Sequence, residues 1–385
     1  MKQANAVYKV PRYHSLDAWR GIACLMVVVF HQTTLLTNWG QDQEFMSAAG
    51  PVSRAFLSVA AQMNLGVPMF FVISGYCVTA SADNLRGHDA DLKTFFWRRF
   101  RRIFPPYWVT IGFALVLYGV SSMLGHALYD GRLDPSKLPS TLTLWNWIGT
   151  LTLTEGWRYH FIGGSSRWLL THAWTLGYEE QFYAVTGIML GFLSRRFFVG
   201  LTAVTAGVVV VALASGDQLD GFFLEGQWVL FALGILAYYW ATLKQPGRKH
   251  RIMLGLTLVV STVALGILAG SPYVVACLFA AVLIGLRRFD ARLVRSAVVR
   301  PFLWVGRISY SLYLVHVLVV VAIDELVVPR IRATWPAAAV IAVATLLAIG
   351  VSMCLAWLLY TYVERRFLAP RTEQPSIRLA AAASV

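Results

Sequence analysis

Apolar runs of about twenty residues, separated by short polar segments, recur along almost the whole chain. Twenty apolar residues are about the length that an α-helix needs to cross a bilayer. The pattern therefore predicts an all-α polytopic membrane protein with about ten transmembrane helices. These helices fall near residues 16–37, 61–82, 104–124, 174–193, 197–215, 222–242, 252–270, 272–286, 302–323 and 337–362. One transmembrane domain over residues 1–370 and a disordered tail over residues 371–385 complete the expected organisation.

The composition agrees with this class, because 57% of the residues are hydrophobic and only 14% are charged. The formal net charge of +14 would also suit a nucleic-acid-binding protein. Lys and Arg, however, are concentrated in alternate connecting segments, which is typical of the positive-inside rule. The charge therefore predicts a topology, with both termini in the cytoplasm, and it requires no nucleic acid as a partner.

The connecting segment 125–173 is much longer than the others and is predicted to lie outside the cell membrane. Loops of this length in a compact fold are usually functional. Its apolar part, Leu142–Leu153, is too short to cross a bilayer, which favours an interfacial or re-entrant helix. Trp157, Trp168 and Trp174 either belong to an aromatic belt at the membrane surface or form a binding platform for sugar rings.

Arg20 and His31 interrupt the first apolar run. Eleven residues at about 100° per residue bring both side chains to nearly the same face of a helix, about 16 Å apart along its axis. Ionisable groups inside a membrane are costly and usually mark a transport pathway or an active site. A snorkelling arginine and a hydrogen-bonded core histidine are the alternative. We favour a functional role for the pair.

Four arginines lie together before the third predicted span, at Arg98, Arg99, Arg101 and Arg102. Pro105 and Pro106 follow them and are predicted to mark the start of that span. Guanidinium groups bind phosphates in a planar, two-donor geometry, which suits a phosphorylated cytoplasmic ligand. The cluster would also serve as a topology signal in contact with anionic lipid heads. Ser74 and Tyr76 of the second span either pack against a neighbouring helix or line a narrow channel.

Two further polar groups lie in otherwise apolar segments. Glu179 and Glu180 point about 100° apart on a helix, so only one of them can face a given cavity. Glu179 is the better candidate to orient a histidine or to bind a hydroxyl group. In the ninth span, Tyr313 lies between Ser309 and His316 on one helix face, at a depth similar to that of His31. Tyr313 and His316 are candidate substrate-binding residues, although His316 would equally make a structural hydrogen bond.

Five segments, in this order, resemble the acyltransferase 3 family of bacterial integral-membrane acyltransferases. The resemblance covers residues 13–366. Its motifs are the ten-residue spacing between Arg20 and His31, Phe-Phe-Val-Ile-Ser-Gly-Tyr at 70–76, Arg-Arg-Ile-Phe-Pro-Pro-Tyr-Trp at 101–108, Trp-Thr-Leu-x-x-Glu-Glu-Gln-Phe-Tyr at 174–183 and Ser-Tyr-Ser-Leu-Tyr-Leu-x-His at 309–316. The departures are small: Thr175 stands where serine is common, and Ala18-Trp19 replace a small residue and a leucine.

The resemblance implies transfer of an acyl group, usually acetyl, from cytoplasmic acyl-CoA to a hydroxyl of a carbohydrate or lipid-linked glycan acceptor. It implies a multi-pass location in the bacterial cytoplasmic (inner) membrane, surrounded by lipid. It also makes His31 and Arg20 essential and assigns the cytoplasmic arginines to CoA. With the donor placed in this way, we expect the acceptor to enter from the outer side, beside Glu179 and the tryptophan-rich loop. The sequence carries no metal-binding motif such as His-Glu-x-x-His, so we expect no metal cofactor.

Two mechanisms remain open at this stage. His31 acts either as a general base on the acceptor hydroxyl or as a nucleophile that takes the acyl group itself. A polytopic transporter or flippase, with Arg20 and His31 in its substrate pathway, is the main alternative function. The lack of a detectable inverted repeat in the sequence argues against a transporter.

Overall fold

The computed structural model describes residues 13–38, 43–86, 92–123, 139–215, 219–242 and 271–368. All regular structure in these ranges is helical. The α-helices are α1 (Leu16–Asn38), α2 (Gln43–Ala48), α3 (Gly50–Ala60), α4 (Gly66–Arg86), α5 (Leu92–Met123), α6 (Leu144–Thr152), α7 (Glu155–Ile162), α8 (Trp174–Phe192), α9 (Phe197–Ser215), α10 (Gln227–Thr242), α11 (Ser271–Leu286), α12 (Asp290–Arg295), α13 (Arg300–Arg307), α14 (Ser309–Leu326), α15 (Val328–Arg332), α16 (Ala337–Leu359) and α17 (Arg365–Phe367). A π-helical turn, Tyr360–Glu364, joins α16 to α17.

Six segments of the described chain are long and apolar enough to cross a membrane, namely 16–37, 50–86, 92–120, 194–212, 309–332 and 337–367. The all-α, membrane-spanning class predicted from the sequence is therefore confirmed. Helices α8, α10 and α11 occupy three further predicted spans, 174–193, 222–242 and 272–286. The total of about ten spans and the cytoplasmic termini remain predictions. The predicted span at 252–270 and the predicted tail at 371–385 lie outside the described residues.

Helix α1 occupies a central position, because it packs against α4, α13, α14 and α16. Two glycine contacts bring its backbone directly onto α13. A Cβ on Gly21 would collide with the Phe302 carbonyl, and a Cβ on Gly306 would collide with the Asp17 carbonyl. Small residues allow this close approach between membrane helices. The contacts hold the Arg20 end of α1 in a fixed position.

A second close contact joins α4 to α10. Gly75 and Gly234 face one another, and a Cβ on either residue would collide with the backbone of the opposite helix. Beside this contact, Phe71 is almost fully buried and packs edge-on against Trp174, Tyr178 and Phe182 of α8. Edge-to-face aromatic packing of this kind contributes about 0.5–1.5 kcal/mol per pair beyond the area it buries. The α4–α8–α10 unit is therefore a rigid aromatic core.

We expect Gly75→Ala to destabilise the protein by about 1–3 kcal/mol, because the added methyl group cannot be accommodated against the Phe231 backbone. Gly112→Ala is the matched control, since no atom lies within 4 Å of a Cβ at that position. Alanine is also the better helix former, so the control should be neutral or stabilising by up to about 1 kcal/mol. Thermal unfolding of both variants in detergent measures the difference, and equal melting temperatures would contradict the contact.

Two predicted span boundaries are wrong in detail. Pro105 and Pro106 do not begin the third span: they lie inside α5, which starts at Leu92 and carries the arginine cluster on the same helix. Membrane helices tolerate internal proline where neighbouring groups satisfy the freed carbonyls. The ninth span does not run from residue 302, because the chain is interrupted at Ile308 between α13 and α14. The interruption follows Gly306, which lies directly against the α1 backbone at Asp17.

Candidate functional site

A cavity lies between α1, α4, α5, α8 and α14, and we call it the central cavity. Two separate apolar clusters adjoin it, and Phe70 and Tyr313 line the cavity while packing against both. Six residues predicted from the sequence as site residues line it together: Arg20, Ser74, Arg99, Arg102, Glu179 and Tyr313. Their side chains come from segments almost 300 residues apart in sequence, so the fold itself assembles this site.

The cationic part of the central cavity comes from α1 and α5. Arg99 and Arg102 are three residues apart and therefore share one face of α5. The Arg99 guanidinium is buried and packs over the rings of Phe95 and Tyr183, at 5.7 Å and 5.1 Å from their centroids. Arg20 makes a 3.8 Å ion pair with Asp17. Arg98 and Arg101, predicted with the others, do not line the cavity.

Glu364 is a charged group near this end of the cavity that sequence reasoning missed. It lies in the π-helical turn after α16, is almost fully buried, and accepts a 2.6 Å hydrogen bond from the Ser311 hydroxyl. Arg102 and Arg20 are the cations that act electrostatically on its carboxylate. Single π-turns are frequent at functional sites. A carboxylate directly before two arginines, at the end of the last apolar run, was the signal available in the sequence.

Of the adjacent carboxylates, Glu179 lines the cavity and Glu180 does not. The Tyr183 hydroxyl donates a 2.9 Å hydrogen bond to Glu179 Oε2, which leaves the other oxygen of Glu179 for a ligand. Ser74 lines the cavity on α4, whereas Tyr76 is buried away from it against Tyr13 and Tyr238. Tyr76 is therefore a packing residue in this structure.

Tyr313 connects the cavity to a group of histidines. Its hydroxyl donates to the His172 carbonyl, and it also forms a 2.8 Å hydrogen bond with the Thr175 hydroxyl. Because the Tyr313 proton is used by the carbonyl, Thr175 donates in the second bond. The Tyr313 ring contacts both His172 and His316, with centroids 5.1 Å and 5.9 Å apart.

Beyond Tyr313, the rings of His31, His316 and His172 lie side by side in that order, and we call them the histidine layer. The ring centroids of His31 and His316 are 5.1 Å apart, and those of His316 and His172 are 5.2 Å apart. The shared layer of His31 and His316 expected from their depth is therefore present. His172 was not predicted as a site residue, although it lies two residues before Trp174. Burial lowers the pKa of His172 to about 3, so its ring is neutral at physiological pH.

The tryptophans predicted for acceptor binding do not line the central cavity. Trp168 is buried and packs against Gly156 and Gly177, which indicates a structural role. Trp157 is half-buried and contacts Phe161. Trp174 is exposed on one side while its ring packs on Phe71 and Tyr178, directly before cavity residue Thr175. Of the three, Trp174 is the one adjacent to the cavity.

A buried ion pair stabilises the outer segment. Glu155 and Arg158 pair at 3.1 Å with both side chains buried, and Asn146 donates a 2.7 Å hydrogen bond to Glu155. The Arg167 backbone N–H donates to the same carboxylate. The short helix predicted within Leu142–Leu153 is confirmed as α6, and Thr143 and Asn146 form a capping box at its start. The network holds α6, α7 and the loop after Gly163 as one unit.

The site therefore has two chemically different ends. Guanidinium groups at one end bind anions, and imidazole rings at the other end provide nitrogen lone pairs in an apolar environment. Along α1, Val27 lies seven positions after Arg20 and also lines the cavity, and His31 follows Val27 by one turn without lining the cavity. At 1.5 Å per residue the two ends are about 16 Å apart. Among the described residues, no group of three potential ligands could hold a metal ion.

Comparison with known proteins gives a consistent result. A family model described as "Acyltransferase domain" matches residues 13–357. The chain is 24% identical over 354 residues to "O-acetyltransferase OatA" of Staphylococcus aureus, which covers 84% of this chain and 53% of the relative. It is 27% identical over 328 residues to "Putative membrane-bound transacylase BcsY" of Komagataeibacter xylinus, which covers 81% of this chain and 74% of that relative. The chain thus spans about half the length of OatA. No solved structure matches it.

Proposed function

Because the chain belongs to the acyltransferase 3 family, we propose that it is a membrane O-acyltransferase that moves an acetyl group from cytoplasmic acetyl-CoA to a hydroxyl of a carbohydrate or lipid-linked glycan. The names of its relatives support an acetyl donor and oxygen as the accepting atom. The observation that carries the proposal is the central cavity, which three arginines line together with Tyr313, whose ring contacts His172 and His316.

The donor would bind with its phosphates at the arginine end. Arg20, Arg99 and Arg102 provide planar donors that match phosphate oxygens, and buried guanidinium groups bind anions more strongly than exposed ones. The distance of about 16 Å from Arg20 to His31 is close to the length of an extended pantetheine arm. The thioester would then lie beside Val27 and Tyr313, within reach of the His31 ring.

The acceptor would approach from the side of α6, α7 and the turn that precedes α8. Glu179 accepts a hydrogen bond from the hydroxyl to be acylated, and Trp174 offers an exposed indole edge next to it. A hydroxyl near the thioester carbonyl needs a base to remove its proton as the new C–O bond forms. The imidazoles of His31 and His316 are the candidates for that base, and His31 lies one turn of α1 beyond cavity residue Val27.

The test is acetyl transfer by the purified protein in lipid nanodiscs. Radiolabelled acetyl-CoA and a panel of p-nitrophenyl glycosides are supplied, and free CoA and acetylated glycoside are measured. An O-acyltransferase releases CoA in proportion to the acetylated product. A transporter or flippase, the alternative function, moves a glycoside across a vesicle membrane without consuming acetyl-CoA. Glycoside uptake with no acetyl transfer would overturn the proposal.

We expect Glu179→Gln to raise the acceptor KM by about tenfold, because a hydrogen bond to a charged group contributes about 1.5–3 kcal/mol. The amide still accepts the Tyr183 hydrogen bond, so the local packing is kept. Glu180→Gln is the matched control, since the neighbouring carboxylate does not line the cavity. Saturation kinetics with varied glycoside and fixed acetyl-CoA measure both variants. An equal effect of the two substitutions would exclude Glu179 from acceptor binding.

A further inference from the structure

The buried histidines of the layer have unusually poor hydrogen bonding for groups in a membrane protein. His316 is buried, and its Nε2 has no hydrogen-bond partner among the described residues. The Leu314 backbone lies near His172, yet neither ring nitrogen of His172 meets hydrogen-bond geometry with any described residue. An unsatisfied buried polar group costs about 1–3 kcal/mol. Unsatisfied groups gathered at one point indicate a place where a substrate atom or a proton is received.

The backbone determines which nitrogen carries the proton in two of these rings. His31 Nδ1 lies 3.0 Å from the Val27 carbonyl oxygen, and His316 Nδ1 lies 2.7 Å from the Tyr313 carbonyl oxygen. A carbonyl oxygen only accepts, so Nδ1 must be the donor in both rings. In the neutral form, Nε2 of each ring then carries a free lone pair. Two unprotonated Nε2 atoms therefore belong to rings in edge-to-face contact.

A direct displacement on the thioester needs only one base, whereas a two-step reaction needs a nucleophile and a separate base. We propose that acyl transfer proceeds through an acyl-His31 intermediate and that His316 is the base that deprotonates the acceptor hydroxyl. This inference rests on the proposed function. It assigns a nucleophilic role to His31, and it gives His316 a chemical role rather than a structural one.

The two half-reactions balance. In the first, His31 Nε2 attacks the thioester carbonyl, the C–S bond breaks, and CoA leaves as a thiolate beside the cationic acyl-imidazole. In the second, His316 Nε2 takes the proton of the acceptor hydroxyl while the oxygen attacks the acyl carbon. The C–N bond to His31 then breaks and returns the neutral ring with its proton on Nδ1. The imidazolium of His316 then releases its proton to water, and the departed CoA thiolate takes one up from water, which restores both rings.

The test separates the half-reactions by isotope exchange, which needs no acceptor. Purified protein in nanodiscs is incubated with acetyl-CoA and radiolabelled free CoA, and label entering acetyl-CoA is counted. Wild-type protein should exchange label, and His31→Ala should not. His316→Gln should retain exchange within about threefold while acetyl transfer to p-nitrophenyl glycosides falls by about 10²-fold or more. His316→Asn is the second variant if the first does not fold.

His14→Ala is the matched control, because this histidine is exposed and distant in sequence from the layer, and it should change neither rate. Transfer by the wild type without any exchange would overturn the acyl-His31 intermediate and leave the proposed function standing. If folded His316→Gln lost exchange and transfer equally, His316 would have a structural role, and its proposed role as the base for the acceptor hydroxyl would be overturned. A wild type that neither exchanges nor transfers would overturn the proposed function, and this inference with it.

Discussion

His31→Ala lowers acyl transfer by about 10²–10⁴-fold, the range expected when a base or nucleophile is removed from the reacting centre. His31 is half-buried, and its ring contacts only Phe30 and His316 among the aromatic side chains of the described residues. Its removal should therefore leave the helix packing of α1 intact. The turnover of acetyl-CoA by purified variant and wild type measures the effect.

A stability measurement accompanies this prediction. The melting temperature of His31→Ala in detergent should lie close to that of the wild type, because the α1 contacts at Gly21 and Gly66 are unchanged. His31→Gln provides a second variant with a side chain of similar volume. Retention of more than a tenth of wild-type turnover by either folded variant would remove His31 from the mechanism.

Arg99→Gln and Arg102→Gln each raise the KM for acetyl-CoA by about 10- to 100-fold. A charge-assisted hydrogen bond contributes about 1.5–3 kcal/mol, and 1.4 kcal/mol corresponds to a factor of ten. Arg98→Gln is the matched control, since Arg98 lies on the same helix but is exposed and does not line the cavity. The control should leave the KM within about twofold of wild type.

Ionic strength adds a second readout. Screening weakens the attraction between the arginines and phosphates, so the difference in KM between wild type and Arg102→Gln should shrink as salt is raised from about 0.01 M to 0.5 M. Because two of the three arginines still anchor the nucleotide in each single variant, the kcat at saturating donor should change much less than the KM. If Arg98→Gln matches Arg99→Gln at every salt concentration, the cluster serves lipid contact and topology, and the donor phosphates bind elsewhere.

Local sequence patterns predicted most of the helices, because a bilayer requires apolar runs of a fixed length. The internal prolines of α5 and the break at Ile308 were not predictable from the same patterns. Proline is more usual at a helix start than inside a helix, so the pattern favoured a boundary at Pro105. The break at Ile308 follows Gly306, whose close contact with the α1 backbone is not visible in a linear pattern. Helix periodicity correctly favoured Glu179 over Glu180 for the cavity, since 100° of rotation separates adjacent residues.

The candidate site was only partly predictable for the same reason. Arg20, Arg99, Arg102, Ser74 and Tyr313 were identified from residue type and spacing, and the fold brings them together. His172 and Glu364 were missed, since each acts on residues that are more than 50 positions away in sequence. Trp168 was assigned to a binding surface, but its indole fills a space against two glycines instead. Tryptophan is used for packing as well as for recognition, and sequence alone does not separate the two.

The glycine contacts of α1 have a consequence for how the donor is recognised. The backbone of α1 is in contact with α13 at Gly21 and with α4 at Gly66, so the helix cannot slide to shorten the interval between its arginine and its histidine. The distance between the arginine and the histidine is therefore fixed. A donor anchored at the arginine places its thioester at the histidine with a high effective molarity. A thioester without the anchoring nucleotide, such as S-acetyl-N-acetylcysteamine, would reach the same imidazole only by free diffusion. Truncated donors should therefore lose kcat as well as affinity, because the binding energy of the distant nucleotide is spent on placing the thioester.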